Sequence, residues 1–245
     1  MTDAAPQIAP QIATLGVDGL LIRFADRLTE PANRAALAFA AAVARADPPG
    51  LAEVSTGPVS VLVRLDLPRT DPDAFAACLS ALLAERDWTQ APLPEGRRLW
   101  RVPAVFGTDL APQLDEAADL AGLKPDEAVE SLTAEPLRVQ TIGFAPGQPY
   151  LGQLPDAWDI PRQEGLSPRV PPGALTVAIR QVVLFSVASP TGWRHVGQTA
   201  ARLFDPDRTD PFLLRPGDAV LFAATDREGL EAARADGGAE VIPWP

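Results

Sequence analysis

Apolar residues recur with either a strand-like or a helical period through the first third of the chain. These periods predict a strand pair, or one strand interrupted at residues 16–19, followed by a helix, two strands and a second helix. The predicted segments are residues 12–24, 30–47, 51–55, 60–65 and 71–86. Strand, helix, strand, strand, helix is the order of a ferredoxin-like α/β sandwich, provided that a later strand closes it.

Residues 89–96, TQAPLPEG, favour neither period because they are rich in Pro and Gly. We therefore predict an N-terminal α+β domain over residues 1–92 and a second domain over residues 93–245. The second domain has predicted helices at 108–121, 125–133 and 227–235, and strand-like segments that include 98–106, 175–187, 198–204 and 219–222. Many short strands cut by Gly and Pro predict a closed or nearly closed β-barrel.

The composition is that of an acidic globular protein with a formal net charge of −11 over 245 residues. Lys124 is the single lysine and no basic stripe is present, so we expect no nucleic-acid partner. The apolar run at residues 35–44 is too short for a membrane helix, and the N-terminus has no signal-peptide pattern. The one cysteine, Cys78, lies in a helical pattern and is expected to be buried. A reducing, cytoplasmic location is expected.

Three loops rich in Pro and Gly each carry an aromatic or arginine neighbour. The first is GFAPGQPYLG at residues 143–152, and the others lie at residues 171–173 and 189–193. Pro restricts the backbone, and Gly permits close approaches that other residues resist. Such loops are plain turns or a built ligand or partner surface, and the pattern leaves both interpretations open.

Familiar catalytic and metal-binding motifs are absent from the sequence. His195 is the only histidine, and no GxSxG or GxxxxGK[ST] motif occurs. A metal site is therefore not expected, the catalytic residues stay unknown, and His195 is expected to be structural or solvent-facing.

Six segments appear in one order along the chain: TIGFAPGQPYLGQLP at 141–155, PR at 161–162, SPRVPPGAL at 167–175, SPTGWRHVGQT at 189–199, RLFDP at 202–206 and LLRPGDAVLF at 213–222. This set resembles the allophanate hydrolase subunit 1 family, also called KipI or the PxpB component of 5-oxoprolinase. AIRQVVLFSV at residues 178–187 departs from the GxQTGIYP-like segment of the family, and SPTGW replaces SPGGW. The chain therefore resembles a divergent member.

The resemblance implies a cyclophilin-like β-barrel behind a small α+β domain. It also implies work with a KipA-type partner, which corresponds to allophanate hydrolase subunit 2, and with a LamB/YcsF-type partner. Such complexes open 5-oxoproline to glutamate with ATP, so ATP is expected at the level of the complex. The alternative is a KipI-like inhibitor of a sensor histidine kinase.

If the chain works in such an enzyme complex, we expect a small amide or lactam to bind where the three loops meet at one mouth of the barrel. Aromatic side chains would form apolar walls, an arginine would meet a carboxylate or phosphate, and Gly147 and Gly173 would allow close backbone contact. The candidate substrate-binding residues are Phe144, Pro146, Gly147, Pro149, Tyr150, Arg162, Arg169, Pro171, Gly173, Ser189, Pro190, Gly192 and Trp193.

Overall fold

The computed structural model describes residues 9–244. The chain divides into two compact units, the first ending at Gly96 and the second beginning at Arg97. This division falls at the end of the Pro- and Gly-rich segment 89–96, while the proposed boundary between residues 92 and 93 stays a prediction. Over residues 9–244, no helix is both long enough and apolar enough to cross a membrane.

The first unit combines a four-stranded antiparallel sheet with two helices in its described residues. Its elements are β1 Gln11–Leu15, β2 Gly19–Arg23, α1 Glu30–Ala46, β3 Leu51–Thr56, β4 Ser60–Leu65 and α2 Pro72–Ala84. The strand order is β1-β2-β4-β3, so the predicted strand pair at residues 12–24 is confirmed. Among the described residues, the position beside β2 at the edge of the sheet is filled by β1 and not by a later strand. Gly16, at a φ of 69°, lies in the turn that folds β1 back onto β2, so β1 takes that position.

Helix α1 follows directly from its sequence. Thr29 accepts a hydrogen bond from the Ala32 backbone N–H at 3.3 Å, which caps the first turn. One side of the helix packs on the sheet, where Phe39 makes edge contacts with the rings of Phe24 and Trp88 at 5.7 and 5.1 Å between centroids. Cys78 is exposed on α2, so the expectation of a buried thiol is wrong. Phe75 and Leu79 supply the buried face of that helix instead.

The second unit is a barrel with short helices. Its strands are β5 Leu99–Phe106, β6 Leu137–Ile142, β7 Pro149–Gly152, β8 Ser167–Val170, β9 Ala174–Ala178, β10 Gln181–Leu184, β11 Ser189–Thr191, β12 Arg194–Thr199, β13 Ala219–Ala224 and β14 Glu240–Ile242. Its helices are α3 Leu114–Ala121, α4 Pro125–Thr133 and α5 Arg227–Ala235. In the described chain, seven strands pair in the order β12-β9-β10-β7-β6-β13-β5, and β5 pairs back with β12 to close the ring. The predicted α+β class with a β-barrel is confirmed.

Alternate residues of the barrel strands point to different sides of the wall. Leu151, Val182 and Leu184 belong to the large interior cluster, together with residues of α3 and α4. Their neighbours Tyr150 and Val183 belong to or pack against a separate, smaller cluster. The barrel therefore carries a second apolar surface on its outer face, across β7, β9 and β10.

A tight hairpin interrupts the segment predicted as one strand at residues 175–187. Ile179 and Arg180 both have positive φ, 44° and 61°, between β9 and β10. Tertiary contacts stabilise this turn, since the Ile179 N–H donates to the Ile160 carbonyl at 2.8 Å and the Arg180 N–H to the Trp158 carbonyl at 2.9 Å. The single-strand prediction is wrong because neither turn residue is Gly or Asn, the usual signals for positive φ.

Asp218, directly before β13, connects two strands of the barrel. Its buried carboxylate accepts from the Arg98 guanidinium at 2.6 Å, the Arg98 backbone N–H at 2.9 Å and the Arg215 backbone N–H at 3.0 Å. It thereby ties the start of β5 to the start of β13, which are parallel neighbours in the barrel.

Candidate functional site

The strand register places one row of side chains across the outer face of the barrel. Tyr150 on β7 pairs with Val183 on β10, Val183 with Thr176 on β9, and Thr176 with His195 on β12. Thr141 on β6 extends the row at the other end by pairing with Tyr150. Paired residues share a face, so this row forms the floor on which a ligand site can be built.

Arg162, in the segment before β8, and Trp193, directly after β11, contribute a cationic and an aromatic group beside this floor. The Trp193 ring meets the Tyr150 ring edge to face, with 6.2 Å between centroids. The Arg162 guanidinium lies over the Trp193 ring at 5.2 Å from its centroid. Tyr150 and Trp193, from two of the three predicted loops, are therefore in direct contact, and Arg162 joins them from outside those loops.

These groups enclose an open cavity of about 300 Å³, at the lower end of the volumes typical of small-molecule sites. Its walls expose apolar and polar surface in nearly equal amounts. The lining residues are Phe144, Gln148, Tyr150, Arg162, Gln163, Leu166, Val183, Phe185, Pro190, Thr191, Gly192 and Trp193. We call this cavity the outer-face pocket.

Six of the candidate residues line the outer-face pocket: Phe144, Tyr150, Arg162, Pro190, Gly192 and Trp193. Seven do not line it: Pro146, Gly147, Pro149, Arg169, Pro171, Gly173 and Ser189. Arg169 is an exposed residue of β8. The candidate residues that come together do so on the outer face of the barrel and not at one of its mouths, because Tyr150 and Trp193 lie outside the interior cluster.

Gly147 and Gly173 make close backbone approaches, but to the protein itself. A Cβ on Gly147 would lie 2.6 Å from the Leu203 carbonyl oxygen, and one on Gly173 would lie 2.3 Å from the Thr199 carbonyl oxygen. Both have positive φ, 72° and 80°. Their glycine requirement therefore follows from chain packing and not from a ligand.

Two glutamines of the pocket were missed by sequence reasoning. Gln163 is a framework residue: its Nε2 donates to the Trp193 carbonyl at 3.0 Å, and its Oε1 accepts from Gln113 Nε2 at 2.8 Å. Gln148 is 1% exposed, and its Oε1 has no hydrogen-bond partner in the described part of the chain. The one available signal for Gln148 was its place between Gly147 and Pro149 in the first loop.

The rim of the pocket exposes two large apolar side chains. Phe144 is 74% exposed and Leu166 is 71% exposed. Phe144 also has a φ of 72°, a left-handed conformation that costs a residue with a side chain about 1–2 kcal/mol. Exposed apolar groups held in strained backbone are typical of binding surfaces.

The charged and titratable groups near the pocket are few. Arg162 is exposed at the rim and has no ion pair among residues 9–244. His195 is buried, which lowers its pKa below the ordinary 6.5, although the Gly197 backbone and the Gln198 side chain oppose this effect. The described residues contain no group of His, Cys, Asp and Glu suited to hold a metal ion.

Comparison with known proteins connects this barrel to a family. The sequence model of the family described as "Carboxyltransferase domain, subdomain C and D" matches residues 10–214. The chain belongs to this family. A member from Bacillus subtilis (strain 168), named as the B subunit of 5-oxoprolinase, is 29% identical to this chain over 229 residues, covering 91% of the chain and 95% of that protein. The predicted resemblance to the family of PxpB and allophanate hydrolase subunit 1 is thus confirmed.

Two solved structures share this fold. The protein TTHA0988 is 32% identical with a TM-score of 0.71, and the match covers 85% of this chain. This chain spans 40% of the length of TTHA0988. The K. lactis urea amidolyase has a TM-score of 0.71 at 19% identity, covering 97% of this chain and 17% of the amidolyase, which shows a shared fold.

Proposed function

We propose that this chain is the PxpB-type component of an ATP-dependent 5-oxoprolinase, or of a related amidohydrolase such as allophanate hydrolase. In the reaction, water adds across the lactam C–N bond of 5-oxoproline to give glutamate, and ATP hydrolysis drives the opening. Support comes from family membership and from the B. subtilis relative named for this activity.

The observation that carries the proposal is the chemistry of the outer-face pocket. An arginine without an ion pair in the described residues stands at the rim of a small cavity with both apolar and polar walls, and Gln148, which lines this cavity, has an unpaired amide oxygen. Arg162 suits a carboxylate, because a guanidinium offers a planar fork of donors. A carboxylated lactam has both an anionic group and an amide, so 5-oxoproline matches the two ends of the pocket.

The pocket residues do not include an evident nucleophile with an adjacent base. We therefore propose that a KipA-type partner completes the site and that a LamB/YcsF-type partner acts in the same complex. The exposed Phe144 and Leu166 offer the KipA-type partner an apolar contact beside the cavity. Within this proposal ATP is a cofactor of the complex, and this chain is inactive alone.

Reconstitution with the KipA-type and LamB/YcsF-type partners tests this function. The mixture is given 5-oxoproline and Mg-ATP, glutamate is measured, and each protein is omitted in turn. We expect turnover with all components and none with this chain alone. Turnover at the full rate by the isolated chain would refute the shared site, and no turnover by the complete mixture would refute the 5-oxoprolinase assignment.

A matched pair of arginine variants tests the pocket within that assay. Arg162→Ala should raise KM for 5-oxoproline about 10- to 100-fold, since a charge-assisted hydrogen bond contributes about 1.5–3 kcal/mol. Arg169→Ala is the control, because Arg169 is exposed on β8 and does not line the pocket. Equal effects of the two variants would contradict the assignment of the pocket.

The same exposed rim also suits a KipI-like inhibitor that docks on a sensor histidine kinase. A docking role requires Phe144 and Leu166 but not the unpaired Arg162 within a cavity, so the enzyme proposal accounts for more of the site. Inhibition of kinase autophosphorylation by the isolated chain, without 5-oxoproline turnover in the complex, would favour the inhibitor.

A further inference from the structure

The side-chain oxygen of Gln148, a residue that lines the outer-face pocket, has no hydrogen-bond partner in the described part of the chain. The residue is 1% exposed and lines the cavity, and its Oε1 accepts no hydrogen bond within residues 9–244. A buried acceptor without a partner costs about 1–3 kcal/mol. An amide kept at that cost in a small cavity indicates a ligand that supplies the missing donor.

The backbone on either side of Gln148 is held in place. Its N–H donates to the Ala145 carbonyl at 3.1 Å, and its carbonyl accepts from the Gly143 N–H at 3.0 Å. The next residue, Pro149, opens β7 and pairs with Ile142 on β6. The amide is therefore presented from a closed turn anchored in the barrel wall and not from a free loop end.

Two other polar side chains of the pocket already have partners. Gln163 uses both ends of its amide within the protein, and Thr191 Oγ1 accepts from the Trp193 N–H at 3.0 Å. These two residues hold the wall together. Gln148 in the interior and Arg162 at the rim remain to select a ligand, together with the Tyr150 hydroxyl and the Trp193 indole N–H.

We propose that Gln148 is a specificity-determining residue that pairs with the amide edge of a lactam, and this inference rests on the proposed function. A five-membered lactam holds its N–H and C=O on the same side of the C–N bond. A glutamine carboxamide can accept from that N–H and donate to that C=O at once, as Asn and Gln do with the adenine edge in DNA. A lactone has the C=O but no N–H, so it leaves the Gln148 oxygen unpaired.

A ligand pair that differs only at this atom tests the proposal. The probes are 5-oxoproline and the lactone in which oxygen replaces its ring N–H, and their Kd values are measured by calorimetry on the full chain and on the complex with its partners. The wild-type protein should bind the lactam about 10- to 100-fold more tightly, since a site left with an unpaired buried acceptor discriminates by this amount or more.

Gln148→Met removes the amide at similar volume. The affinity of this variant for the lactam should fall to its affinity for the lactone. Its unfolding midpoint should equal or exceed the wild-type value, because the unsatisfied polar group has been removed. Gln148→Leu is a second apolar replacement if the methionine variant folds poorly. The matched control is Gln181→Met, because Gln181 is another buried glutamine of the barrel, with its Nε2 donating to Gln140 Oε1 at 2.7 Å. This control should lower the unfolding midpoint and leave the preference for the lactam unchanged.

Equal affinities of the wild-type protein for lactam and lactone overturn the role of Gln148, as does a lactam preference that survives in Gln148→Met. No measurable binding of either probe to the chain or the complex overturns it as well. The glutamate assay separates this inference from the proposed function. Turnover with an unaltered preference in Gln148→Met refutes only the role of Gln148, whereas a Gln148-dependent preference without turnover refutes only the proposed reaction.

Discussion

Replacing Gly173 by alanine should destabilise the barrel strongly, although Gly173 lies outside the outer-face pocket. The new Cβ would stand 2.3 Å from the Thr199 carbonyl oxygen and 2.9 Å from Gln198 Nε2. The contact is with backbone, so β12 has to move away. That movement breaks the two bonds in which the Thr199 N–H and Oγ1 donate to the Gly173 carbonyl, at 2.9 and 3.0 Å.

The cost of Gly173→Ala has two parts. A φ of 80° costs an alanine about 1–2 kcal/mol. Two lost hydrogen bonds add about 0.5–1.5 kcal/mol each, so the free energy of unfolding should fall by about 2–5 kcal/mol.

Two other glycines separate these parts. Gly122→Ala introduces the backbone strain of a positive φ without a steric clash, since Gly122 has a φ of 69° and nothing lies within 4 Å of its added Cβ. We expect it to cost about 1–2 kcal/mol. Gly165→Ala introduces neither strain nor a clash, since the φ of Gly165 is not positive and its added Cβ meets nothing within 4 Å. Its free energy of unfolding should stay within about 0.5 kcal/mol of the wild-type value.

Urea unfolding followed by tryptophan fluorescence measures this series. Trp88 belongs to the first unit, and the other tryptophans belong to the second, so the signal reports mainly on the barrel. A Gly173→Ala midpoint no lower than that of Gly122→Ala would refute the reasoning. It would mean that β12 does not need the close approach at residue 173, and a ligand-related reason for that glycine would regain support.

Three further perturbations have definite expected outcomes. Asp218→Ala should lower the free energy of unfolding by about 3 kcal/mol in urea titrations, because it leaves the half-buried Arg98 without its counter-charge. Burial lowers the pKa of His195 in the folded protein, so the unfolded chain binds a proton on this imidazole more tightly than the folded chain does. The free energy of unfolding should therefore have its full value above pH 6.5 and decrease as pH falls from 6.5 towards the folded pKa. His195→Leu should lose this pH dependence, and an unchanged profile would contradict the assignment. Phe144→Gly should raise the unfolding midpoint by relieving positive φ, yet weaken association with the KipA-type partner in a pull-down; unchanged association would exclude Phe144 from that interface.

Local signals in the sequence were sufficient for most helices and many strands. The carboxylate of Asp71 accepts from the Asp73 N–H at 3.0 Å at the start of α2, and Gly122 ends α3 in the left-handed conformation. Both residues were predicted near helix ends. Caps and periods act within a few residues, so they can be recognised without knowledge of the fold.

The ordered Pro- and Gly-rich segments were likewise sufficient for the family and the barrel. They were less informative about the roles of individual residues. Gly147 and Gly173 were expected to approach a ligand, but each approaches a carbonyl of a neighbouring segment. A glycine signals that space is needed, whereas the group that takes the space depends on which strands become neighbours.

The composition of the pocket depends on barrel closure. Tyr150, Val183 and Trp193 become neighbours only through the register of β7, β10, β9 and β12, and Arg169 falls outside because its position on β8 leaves it exposed. Gln148 became a candidate only once burial had shown its oxygen to lack a partner. The amino-acid sequence thus specified helices, strands, family and the loops that matter, because those depend on local chemistry. Which loop residues share one cavity, and which of them keep an unpaired group, required the folded barrel, because pairing between distant strands sets those distances.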